Sequence, residues 1–221
     1  MIDYKNLREK YAYWGLLISL LLSFSITPMF DESARSLNIF IVSSLLFALI
    51  AIASTRARLI IASLLGIPFV TLNIISTTSP AEAYLIGFYL LTALFFIYVI
   101  SVLLRDIFTH SRVDTNRLLS AISVYLCFGV VCAMLYGLID IYDLRSFDIP
   151  SALSHEARIN NLMYFSFVTL TTLGYGDISP ISDVARSLST VEALVGQIYL
   201  TVLVARLVGL HIAEQSTSQK G

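Results

Sequence analysis

Six long apolar runs, at roughly 12–29, 37–54, 59–77, 84–104, 118–139 and 187–210, leave this chain few ways to fold. Most are long enough to cross the hydrocarbon layer as a helix. A shorter run, about 158–172, lies between the last two and is too short to span. It reads as a re-entrant helix, which is stable only where protein or a water-filled cavity shields it. Composition agrees. Of 221 residues, 57% are hydrophobic and 13% charged, with a mean hydropathy of +0.82, far too apolar for a soluble domain of this length. The fold class expected is an all-α membrane protein with six spans and a re-entrant helix.

Basic residues favour alternate loops. Lys5, Arg8 and Lys10 precede the first run, Arg56 and Arg58 separate the second and third, and Arg105, Arg112 and Arg117 separate the fourth and fifth. The first loop instead carries Asp31, Glu32 and Arg35, and the third only Glu82. Both termini are therefore expected in the cytoplasm, with the first run a retained helix. A net charge of −1 and the lack of a basic tract argue against nucleic acid as a partner. Cys127 and Cys132 sit within an apolar run and read as small buried residues, and the three histidines form no ligand motif. No nucleophile–base pair stands out, so neither an enzyme nor a cofactor is expected.

The re-entrant run leads into Thr171-Thr172-Leu173-Gly174-Tyr175-Gly176-Asp177. In a soluble protein such a string would be a turn, with the glycines supplying positive φ. After a re-entrant helix, it has what a K⁺ selectivity filter requires: main-chain carbonyls that replace the shell of a dehydrated ion. Gly174 and Gly176 tolerate backbone angles a side chain would forbid. Thr172 adds a hydroxyl oxygen at the inner end, and Asp177 a carboxylate at the outer end.

Residues 157–177 and the helices on either side resemble the pore module of the tetrameric potassium channel family. The likeness covers roughly 115–213, and what precedes it is similar in topology to the four-helix peripheral domain of six-helix channels. The resemblance implies a cytoplasmic N-terminus (1–11), a peripheral four-helix domain (12–104), a linker (105–117), a pore domain (118–213) and a short tail (214–221). It implies K⁺ held by the carbonyls of Thr172, Leu173, Gly174 and Tyr175, with Gly176 completing the filter. Tyr164 and Phe165 stand where many relatives carry two tryptophans and would form a supporting cuff with Asp177. Thr169 and Thr171 are candidates for bonds behind the filter. One strand cannot surround an ion, so the implied partner is the chain itself, as a homotetramer among membrane lipids. One departure is plain: Tyr84 to Leu104 holds no arginine or lysine, which excludes strong voltage sensing of the usual kind.

Three residues of the last run carry further expectations. Gly196 matches the position of a gating hinge in many relatives, against the plainer reading of a close helix contact. Glu192, one turn before it, is costly in hydrocarbon and is expected behind the filter, bonded to groups of the pore helix. Arg206, about 15 Å beyond Gly196 at 1.5 Å per residue, falls near the inner mouth, within reach of Glu214. No cytoplasmic ligand-binding domain is expected after it. The function expected is passive K⁺ conduction, in a plasma membrane of bacterial inner-membrane type. The alternatives are a weakly selective cation channel, and a non-conducting scaffold or regulatory subunit. A secondary transporter would show paired broken helices, which are lacking.

Overall fold

A computed structural model describes residues 4–25, 35–53, 55–78, 82–109 and 115–218. Seven helices run through them: α1 (Tyr4–Ser25), α2 (Arg35–Ile52), α3 (Arg56–Thr78), α4 (Glu82–Thr109), α5 (Thr115–Tyr142), α6 (His155–Leu170) and α7 (Asp183–Ser218). The first loop with Asp31 and Glu32, and residues 110–114 with Arg112, lie outside the described residues, as does the Glu214 side chain offered to Arg206.

Among the described residues, three helices are long and apolar enough to cross a membrane: Glu82–Thr109, Thr115–Tyr142 and the Asp183–Arg206 part of α7. This corrects the expectation of six spans. Among the residues whose side chains are described, α1 and α2 contribute the apolar stretches Tyr11–Leu22 and Val42–Ile52. α3 opens on Arg56 and Arg58 and carries Pro68 inside the helix. The chain is a multi-pass, all-α membrane protein.

α5 is the centre of the packing. Its residues are apolar around the whole circumference, as suits a helix enclosed by others. α4 lies along one side of it and α1 on another, while α6 and α7 cover the rest. α1 also pairs with α2, and α3 leans on α4, where Phe69 stacks on Phe88 with centroids 5.5 Å apart. The far ends of α3 and α4 are tied by Arg58, whose two terminal nitrogens donate to the Asp106 carboxylate at 2.8 and 2.9 Å. Cys127 and Cys132 are buried free thiols within α5. α7 differs from α5 in leaving most of its apolar surface open, with Val191, Leu194, Ile198, Val202 and Val204 exposed.

Outside the helices, one antiparallel bridge matters. Asp148 N–H donates to Ser179 O at 2.9 Å, and Ile181 N–H to Ser146 O at 2.8 Å, around the Phe147–Pro180 pair. The loop after α5 is thereby stitched to the segment that leaves residues 171–177. Both ends of the α6–filter unit are thus anchored to the same short bridge.

Candidate functional site

α6 is built to begin and end at fixed points. Ser154 is its N-cap, accepting from Ala157 N–H at 3.3 Å, and Glu156 in the first turn suits the positive end of the helix dipole. Arg158 is 2% exposed, which a guanidinium tolerates only when every donor is used. Its Nε donates to Asp140 of α5 at 2.6 Å and a terminal nitrogen donates to the same carboxylate. The remaining donors go to the carbonyls of Leu144, Ile149 and Pro150. The Asp140 bond raises the Arg158 pKa further, against the opposing effect of burial. One arginine thus fixes the loop after α5 to the start of α6.

At the other end, the last four carbonyls of a helix normally lack partners. Here each has one. Phe167 O accepts from Thr171 N–H at 3.0 Å and from the Thr171 hydroxyl at 2.7 Å. Val168 O accepts from Leu173 N–H at 2.9 Å and Gly174 N–H at 3.3 Å, and Thr169 O from Thr172 N–H at 3.0 Å. Leu170 O accepts the Tyr125 hydroxyl of α5 at 2.8 Å. The first filter amides are therefore turned back onto the helix end.

The backbone then alternates. Positive φ recurs at every second residue: Thr172 (59°), Gly174 (58°) and Gly176 (78°). Alternating hand turns successive peptide units to one side. For a β-branched residue such as Thr172 this conformation costs about 1–2 kcal/mol, and such strain concentrates at functional sites. All of Thr171 to Asp177 is exposed in the single chain, with Leu173 54% and Tyr175 67% accessible.

The supporting residues divide into two groups. The Tyr164 hydroxyl donates to Asp177 at 2.7 Å, and this bond pushes the phenol pKa up to about 12. Phe165 turns the other way, into a buried cluster with Tyr136 and Phe147 whose centroids are 5.3 and 5.5 Å away. Thr169 is half-buried and enters through its carbonyl. Glu192 is fully buried, with Tyr136 Oη of α5 and, at 2.5 Å, Ser166 Oγ of α6 in hydrogen-bond contact with its two carboxyl oxygens. Gly196 meets the end of α6: a Cβ there would lie 2.7 Å from Leu170 O and 2.8 Å from Leu170 Cδ1. Arg206 donates to Ile107 O at 2.7 Å and lies 4.6 Å from the Phe108 ring centroid, so it joins α7 to the end of α4.

Sequence reasoning missed Arg158, Asp140, Tyr125, Tyr136 and Ser166. The one available signal was Arg158, a charge opening an otherwise apolar run, which must find a buried partner. The tyrosines and the serine carried no pattern. Among the described residues, no group of three or more His, Cys, Asp or Glu is placed to hold a metal ion.

The family model described as "Ion channel" matches residues 120–211. Protein LctB of Bacillus caldotenax is 33% identical over 103 residues, 45% of this chain and 75% of that protein. Two-pore potassium channel 2 of Arabidopsis thaliana is 31% identical over 100 residues, 45% of this chain and 20% of that one. These likenesses correct the resemblance drawn from sequence. They are to an ion-channel family and a two-pore potassium channel rather than to six-helix tetrameric channels, so neither that assignment nor the homotetramer stands.

Proposed function

The chain belongs to the ion-channel family whose model matches residues 120–211, and on that premise we propose that it conducts K⁺ passively through a pore to which Thr172–Gly176 contributes one selectivity-filter strand. Membership of a channel family, a non-enzymatic class, sets it apart from enzymes. The observation that carries the reading is the alternation of positive φ at residues 172, 174 and 176 directly beyond a fully capped α6. Peptide units turned to one side offer a row of carbonyls in place of water, which is the chemistry a dehydrated cation needs. The ligands in this reading are the carbonyls of Thr172, Leu173, Gly174 and Tyr175 and the Thr172 hydroxyl. The named potassium channel among the relatives supports K⁺ as the ion.

One strand cannot enclose an ion, and the sequence contains one such run, so the strands that complete the ring come from outside these residues. The carboxyl end of α6 adds partial negative charge near the inner end of the strand. Tyr164 and Asp177 brace its outer end, and the positive loops keep both termini on the cytoplasmic side of a bacterial-type plasma membrane.

The test is K⁺ against Na⁺ flux through purified protein in liposomes, with valinomycin confirming sealed vesicles. Alanine at position 174, where φ is +58°, costs about 1–2 kcal/mol and disturbs the alternation. Gly174→Ala should therefore lose a K⁺ flux that the unaltered protein supports. Equal Na⁺ and K⁺ flux would overturn selectivity and favour the weakly selective alternative. Absence of flux across voltage, pH and lipid composition would overturn conduction itself.

A further inference from the structure

Glu192 stands out among the buried groups because the hydrogen atoms around it do not suffice. Three oxygen–oxygen contacts meet at this point behind the filter. Tyr136 Oη lies against Glu192 Oε2, Ser166 Oγ lies 2.5 Å from Glu192 Oε1, and the same Ser166 Oγ lies 2.8 Å from Gly129 O. Each contact is close enough to need a proton between its oxygens. Tyr136 supplies one and Ser166 one, since a hydroxyl carries a single donor. Gly129 O is a carbonyl and supplies none. If Glu192 were ionised, Ser166 would spend its hydrogen on either Glu192 or Gly129. The other pair would then face each other across bare lone pairs.

One arrangement satisfies all three contacts. Glu192 Oε1–H donates to Ser166 Oγ, Ser166 O–H donates to Gly129 O, and Tyr136 O–H donates to Glu192 Oε2. The surroundings agree. The side chain has no solvent exposure, and the ion pairs between described residues join Arg58 to Asp106 and Arg158 to Asp140 rather than a cation to Glu192. The titratable groups facing it are Tyr136 and Cys132 of α5, and the Cys132 thiol donates to the Glu192 carboxyl without relieving the Ser166 contacts; α6 presents Ser166, and on α7 itself Ser189 adjoins the Tyr136 phenol. None of these is a cation.

We infer that Glu192 is held as a neutral acid that donates into a relay from α7 through Ser166 of α6 to Gly129 of α5, and that this proton fixes the pore helix to the inner helix. The inference deepens the channel reading and rests on it for the consequence to conduction. It assigns Glu192 a positioning role: the carboxyl reaches the filter strand only through α6. Ionisation would turn its donor into a second acceptor and break the Ser166–Gly129 bond, so conduction should fall on the alkaline side.

The protonation state can be read without flux. Protein carrying ¹³C-labelled glutamate, reconstituted in liposomes, should give one carboxyl resonance at the neutral-acid position at neutral pH, missing from Glu192→Gln. Every glutamate resonating as carboxylate at neutral pH would overturn the inference whether or not the protein conducts. A second arm tests positioning. Glutamine keeps an N–H donor and an acceptor, so Glu192→Gln should retain K⁺ flux within about twofold and lose its alkaline decline, whereas Glu192→Ala should lose most of it. If either variant fails to fold, the spectrum of the unaltered protein still decides the proton, and its flux against pH still tests the decline. A flux from Glu192→Ala equal to that of the unaltered protein, or one in the unaltered protein that stays flat through alkaline pH, would overturn the positioning role.

Discussion

Asp140, 3% exposed, has Arg158 as its cation, and removing that cation is the most severe single change available near the site. Breaking one side of a buried ion pair costs about 3–5 kcal/mol, because the remaining charge stays buried. Arg158→Met should lower stability by that order in detergent-solubilised protein, followed by denaturant unfolding. Adding Asp140→Leu should recover much of the loss. If Arg158→Met were as stable as the unaltered protein, the guanidinium would not be the fastening between loop and helix. Tyr164 gives a pH signature at the opposite end of the strand. Its phenol is raised from 10.0 to about 12 by Asp177, so the folded state holds this proton more tightly than the unfolded state. The support it lends is complete below about pH 10 and is lost as pH rises towards 12. Tyr164→Phe should show weakened K⁺ flux at neutral pH and lack that late alkaline component. A variant indistinguishable from the unaltered protein would remove the bond from the filter's support.

At the scale of the helix, the contact between α7 and the end of α6 gives Gly196 a reason that needs no hinge. α7 is unbroken from Asp183 to Ser218, and a methyl at 196 would press on a backbone oxygen that already accepts from Tyr125. Backbone yields less readily than a side chain, so Gly196→Ala should destabilise by about 1–3 kcal/mol, read as a lower thermal midpoint. An unchanged midpoint would mean the end of α6 gives way freely, and would return weight to a hinge. The helices themselves were largely legible. Apolar length announced α4, α5 and the first part of α7, and the short run before the glycines announced α6. What apolar length could not convey was how the helices would be tied together, as Arg58 of α3 is to Asp106 of α4. Nor could it reveal Tyr125, Tyr136 and Ser166. A tyrosine or serine in an apolar helix looks the same whether it faces lipid or a carbonyl, and only packing decides. Glu192 was legible for the opposite reason, since a carboxylate in such a run has few places to go.

Across the whole molecule, the family match falls on residues 120–211, while α1 to α4 lie before it. The likeness to protein LctB covers 103 residues, three quarters of that protein and 45% of this chain. α7 meets the helices before the matched segment at α4, through the Arg206 bond to Ile107 and its contact with Phe108. Arg206→Met should loosen that junction while leaving the filter intact. The expected result is an altered flux with K⁺/Na⁺ preference unchanged, and a changed preference would show that the residue acts on the filter instead. The two buried thiols of α5 have a consequence for anyone wishing to watch this molecule move. With Cys127 and Cys132 at 0% and 2% exposure, maleimide reagents meet no accessible native target among the described residues. A single cysteine introduced on the open face of α7 would then be the one site to take a fluorophore or spin label, in the unaltered background. Its distance to a second label on α4 would report directly on whether the inner helix and its neighbour travel together.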